Sequence, residues 1–142
     1  MSLKPCLAFS FVILLSALPL AGCQSGDSDL KRGVQGVVTL DGNPLPSGAI
    51  TFIPVSHGNS AGTTVTDGQY ALDPQNGVLP GEYKVEIDSS QPSGKKIRSS
   101  VGETMVEEMI NIIPEKFNRK SKLTVVVKAT GENQHDFELQ SQ

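Results

Sequence analysis

The stretch "EYKVEID" sets the terms for the whole chain, because its apolar residues fall at every second position. Tyr83, Val85 and Ile87 alternate with Lys84, Glu86 and Asp88. Successive side chains of a strand point to opposite faces, so this pattern is that of a strand with one face buried. The same period returns along the chain. Val34, Val38 and Leu40 share a face with Gly36 in "VQGVVTL", as do Ile50 and Phe52 in "AITFIPV" and Tyr70 and Leu72 in "QYALD". Leu123, Val125 and Val127 in "LTVVVK", and Phe137 and Leu139 in "DFELQ", complete the set. Between these runs stand Asp41-Gly42, Asp67-Gly68 and Asn76-Gly77, dipeptides suited to the positive φ of tight hairpins. Pro44, Pro46, Pro74 and Pro80 fall outside the alternating stretches, where no ladder donor is lost. The pattern predicts an all-β protein, an antiparallel β-sandwich of about seven short strands. "DFELQ" is expected to pair back on "LTVVVK" across Gly131.

Residues 89–120 interrupt that pattern. Their first part is polar and turn-prone, while Val101, Met105, Met109 and Ile112 recur at intervals of three and four. That spacing predicts a short amphipathic helix facing the core, with Glu103, Glu107 and Glu108 on its solvated side. A strand through "MINII" is the alternative, and Pro114 ends either element. Lys95, Lys96 and Arg98 precede it as a basic cluster, a candidate contact for an anionic partner.

The amino terminus is of another kind. After Lys4, the chain has no charged residue until beyond Cys23. A cationic start, an apolar run of roughly 14 residues and a small-residue exit compose a secretory signal peptide. A spanning helix needs about 20 apolar residues, and Pro19 and Gly22 close this run early. Residues 1–22 are therefore assigned to the signal, 23–32 to a polar linker and 33–142 to the folded domain. Within that division Cys23 has no disulfide partner, since Cys6 lies in the signal. Nor does it have the several Cys or His ligands that a thiolate metal site uses, or a base that would make it a nucleophile.

Leu20-Ala21-Gly22-Cys23 resembles the lipobox of bacterial lipoproteins. That resemblance implies cleavage between Gly22 and Cys23, a diacylglyceryl thioether carrying palmitate-type chains on Cys23, and membrane attachment without a spanning helix. Two or more acyl chains hold a protein stably where one holds it marginally. Gln24 rather than Asp follows the cysteine, which by the same resemblance implies the outer membrane. Downstream, "GVVTLDGNPLPSGAITFIPV", "TVTDGQYALD" and "GVLPGEYKVEI" resemble the carboxypeptidase regulatory-like modules. The resemblance implies a transthyretin-like (prealbumin) sandwich over nearly all of residues 33–142.

The remaining chemistry is sparse. Without Lys4 the chain has 11 basic against 15 acidic residues, a charge of −4, which is no footprint for nucleic acid. His57 and His135 are far apart in sequence and read as surface residues, with no zinc motif around them. The hydroxyisourate hydrolases that share the transthyretin-like fold carry a Tyr-Arg-Gly-Ser signature that Arg32, Arg98 and Arg119 do not form. Neither Asp-Gly turn carries the ligand spacing of a calcium loop. No tryptophan and only Tyr70 and Tyr83 are present to stack on a sugar. The expectation is a non-enzymatic envelope module without metal or cofactor, bound to the membrane through Cys23 and to an envelope protein or glycan. The alternative is a glycan- or peptide-binding lipoprotein whose site is formed by loops 56–62 and 89–113.

Overall fold

The computed structural model describes residues 30–142. Gly22 and Cys23, with the signal and most of the linker, lie outside the described residues. The described residues form an all-β sandwich of ten strand segments, β1 (Val34–Leu40), β2 (Asn43–Pro44), β3 (Ser47–Pro54), β4 (Ala61–Thr66), β5 (Gln69–Leu72), β6 (Gly81–Asp88), β7 (Ser90–Arg98), β8 (Met105–Asn111), β9 (Leu123–Val127) and β10 (Phe137–Leu139). The main ladder runs β10-β1-β5-β4-β3-β6-β9, with β2 clipped onto β1. It curls so that its inner faces enclose one core. No helix among the described residues is long and apolar enough to cross a membrane.

The alternating residues are the core. Tyr83, Val85 and Ile87 are fully buried, as are Val38, Ile50 and Phe52. Leu45, Val78 and Ile113 add to them from the connections. Burying such a side chain stabilises by about 1.5–3 kcal/mol. Tyr70 stands between Phe52 and Phe137, with ring centroids 6.1 and 6.2 Å away, tying β3, β5 and β10 together.

Two of the three glycine dipeptides make the expected turns. Asp41 and Gly42 have φ of 51° and 81°, Asp67 and Gly68 of 50° and 78°, the paired positive values of a type I′ hairpin. Asn76-Gly77 does not. Asn76 closes a 3-10 turn, Pro74–Asn76, and Gly77 has φ −71°. A Cβ on Gly77 would overlap the Arg32 carbonyl, so this glycine serves close approach rather than turn geometry.

Two further expectations change. β10 pairs in parallel with β1, Val38 opposite Phe137 and Leu40 opposite Leu139, and not with β9. The connection is held by Asn133, whose Oδ1 accepts the Lys128 N–H at 2.7 Å while its carbonyl accepts the Gln35 N–H at 3.0 Å. Gly36 lets the chain in, because a Cβ there would overlap the His135 carbonyl. The second change concerns the interruption. Residues expected to form a core-facing helix belong instead to a separate two-stranded sheet, β7 with β8. Met105 is 58% exposed and Met109 55%, so neither faces the core; just past β8, Ile113 enters it and Ile112 packs against it partly buried. A spacing of four is even, so Met105 and Met109 share a face in a strand as well as in a helix. The strand alternative through "MINII" is the nearer description.

Candidate functional site

The hairpin of β7 and β8 is built from a firm base outward. Ser89 is buried, its hydroxyl donating to the Ser47 carbonyl at 2.6 Å. Asn111 Oδ1 accepts from the backbone N–H of Ser89 at 3.2 Å and of Ile113 at 3.0 Å. Midway, β7 carries extra residues between Pro92 and Lys96. Gly94 takes φ 78° there, while Ser93 donates its hydroxyl to Glu108 Oε2 at 2.6 Å. At the tip the Ser99 N–H donates to the Thr104 carbonyl at 2.8 Å.

Residues directly opposite across a ladder share a face. One face therefore presents Pro92 with Met109, Lys96 with Glu107 and Arg98 with Met105; the other presents Gln91 with Ile110 and Ile97 with Val106. Of the ten large apolar side chains exposed among the described residues, six sit on this hairpin: Ile97, Val101, Met105, Val106, Met109 and Ile110. Val101, at the tip, is 85% exposed.

The three cations singled out in the sequence are here. Lys95 lies in the bulge, Lys96 and Arg98 on regular β7 positions, all exposed. Acid lies near them: Glu107 is opposite Lys96 across the ladder, Glu103 is at the tip, and Glu108 is on the other face of β8. Among the described residues Lys95, Lys96, Arg98, Glu103 and Glu107 take part in no ion pair within 4.0 Å.

Loop 56–62 lies elsewhere. Along the β3–β6 ladder, Ala49 pairs with Asp88 at the hairpin end and Pro54 with Tyr83 at the loop end. Five residues of strand, about 17 Å, separate the two, so the loops do not wall a common site. Asn59 ties loop 56–62 to the neighbouring turn, donating to the Gly77 carbonyl at 2.9 Å and accepting the Leu79 N–H at 3.2 Å. Tyr83 Oη donates to the Leu79 carbonyl at 2.9 Å, and burial raises its pKa. At this same end the chain enters the fold, Arg32 pairing with Val78 through backbone bonds of 2.7 and 3.1 Å. Entry and hairpin occupy opposite ends of the sandwich.

The histidines differ from one another. His57 is exposed, its Nδ1 2.9 Å from Ser56 Oγ. His135 is half-buried where His57 is exposed; its Nε2 is buried without a hydrogen-bond partner, and its backbone N–H donates to the Gln35 carbonyl. Burial lowers its pKa, with the Lys128 charge acting the same way and a backbone bond to Val126 opposing. Burial likewise pushes the Tyr70 hydroxyl far above its usual range, while that hydroxyl donates to the His135 carbonyl at 2.7 Å. These perturbed groups hold β10 against β1 and β5. Among the described residues no group of three or more His, Cys, Asp or Glu is placed to hold a metal. The surface depressions are broad and open; one lies over polar Gln35, Thr63, Thr64 and Gln69.

The exposed apolar hairpin is hard to read in the sequence because apolar residues on both of its faces mask the alternation. The signal was Val106 and Ile110 alternating with Glu107 in "VEEMI" while Met105 and Met109 fell on the other face. No family model, no curated protein and no solved structure matches the chain.

Proposed function

We propose that this chain is a lipid-anchored, non-enzymatic protein of the cell envelope, a transthyretin-like module of the carboxypeptidase regulatory-like kind held on a membrane through Cys23. It acts as a structural or interaction module, with an envelope protein or glycan as its second partner. The observation that carries this reading is the polarity of the domain. The chain arriving from the Cys23 side pairs at Arg32 and Val78, and the hairpin rich in exposed apolar residues leaves from the opposite end, after Asp88. A domain held at one end offers the other to a partner. Support for the anchor comes from the apolar run, the Leu20-Ala21-Gly22-Cys23 stretch and the polar residues after it. Gln24 supports the outer membrane as its place.

The test is metabolic labelling with an alkyne palmitate in a bacterial host that processes lipoproteins, followed by membrane fractionation. The chain is expected to carry label and to sediment with outer membranes. Cys23→Ser should carry none and should retain residues 1–22. A labelled Cys23→Ser chain overturns the anchor.

A further inference from the structure

From the β7–β8 hairpin we infer that its Met105–Met109 face is a docking site for a second copy of this chain, packed face to face about a two-fold axis parallel to the strands. A two-stranded hairpin on its own is marginal in water and needs a covering layer. Among the described residues these strands pair only with each other, and both faces carry exposed apolar residues.

Charge selects the occupant. On the chosen face β7 carries Lys96 and Arg98, and β8 carries Glu107, with Met105, Met109 and Pro92 as the apolar ground between and beside them. Rotation about an axis along the strands lays the β7 of one copy over the β8 of the other at unchanged height. Lys96 and Glu107 are level in the ladder, so each Lys96 meets the other copy's Glu107, two contacts in all, across a layer spacing of about 10 Å that two long side chains can span. Rotation about the perpendicular in-plane axis would set β7 over β7 and bring cations together. An anionic lipid surface would attract Lys96 and Arg98 but repel Glu107, which stands level with Lys96 on this face, whereas a second copy engages both signs.

The pairing also points both hairpins the same way. Two chains anchored side by side would present them so, although the inference does not depend on the anchor. One face spans strands of nine and seven residues, about 30 Å by 10 Å. Pairing two such faces buries on the order of 600 Å² in total, the size of a weak, transient contact. Holding chains on one membrane raises their effective concentration for such a contact.

Sedimentation equilibrium of the full chain in density-matched non-ionic micelles, over a wide range of protein concentrations, tests this. The wild type should pass from monomer to dimer, and association should weaken at 1 M salt, where screening shortens to about 3 Å. Lys96→Glu and Glu107→Lys should each weaken association at least fivefold. Their equimolar mixture should restore it, because mixed pairs bring opposite charges together at both contacts. Met109→Gln should weaken it and Val106→Thr, on the opposite face, should not. Circular dichroism of each variant checks that the sandwich is intact. Monomer at every concentration, dimerisation indifferent to both charge reversals, or loss from Val106→Thr but not Met109→Gln overturns the inference. So does a full chain that stays monomeric while its hairpin amides become protected on phosphatidylglycerol vesicles, which would give the face to lipid.

Discussion

Asn111 reaches across the base of the hairpin to Asp88, its Nδ2 donating to the carboxylate Oδ1 at 2.8 Å while its own Oδ1 takes the Ser89 N–H. One side chain thus closes the point where β6 ends and β8 returns. Asn111→Ala removes these bonds, each contributing about 0.5–1.5 kcal/mol. Amides of residues 90–110 should then exchange at least tenfold faster by hydrogen-exchange mass spectrometry, with those of β3 and β6 unchanged. Uniform acceleration across the sandwich would mean the hairpin and body open as one unit.

Because none of the hairpin's exposed apolar residues belongs to the core, the body should tolerate its loss. Replacing residues 91–110 by a four-residue Gly-Ser turn is expected to shift Tm by no more than a few degrees. Removing only residues 91–99 is different, since β8 would lose its partner β7 and expose an unpaired apolar edge. That shorter deletion should aggregate. A large fall in Tm for the full excision would show that the hairpin supports the core.

The core itself is sharply two-sided along β6. Phe52→Ala should cost about 3–5 kcal/mol through lost burial and a cavity, and Val85→Ala about 2 kcal/mol. Lys84 lies beside Val85 but is partly exposed, with an ion pair of 2.7 Å to Glu86, so Lys84→Ala should change stability by less than about 1 kcal/mol. Urea unfolding measures all three. Equal costs at positions 84 and 85 would refute the assignment of faces.

His135 gives the fold a pH dependence whose sign follows from its surroundings. Burial, the larger cause, and Lys128 lower its folded pKa below 6.5. The unfolded chain therefore binds a proton that the folded chain resists, and stability is lost as pH falls below about 6.5 towards the folded pKa. Tm should decline between pH 7.5 and 5.5 in the wild type, and His135→Gln should flatten that decline. An identical slope in the variant would place the titration elsewhere.

The faces of the strands were readable because a pleat sends neighbouring Cβ atoms to opposite sides; Tyr83, Val85 and Ile87 could only have been buried together. The Asp41-Gly42 and Asp67-Gly68 turns were readable for a local reason too, the positive φ that they adopt. Asn76-Gly77 misled because its glycine answers to the Arg32 carbonyl, 45 residues away in sequence, which no dipeptide preference encodes.

What the sequence determined by itself is which side chains enter the core and where the chain turns, since both are set by the geometry of one strand or four residues. Only the tertiary structure decided that β10 joins β1 rather than β9, because Gly36 and Asn133 had first to meet the returning chain. It alone also decided between helix and hairpin for residues 101–112. An interval of four residues satisfies both periods, and the choice fell to the closure that Asn111 and Ser89 make with the ends of β3 and β6.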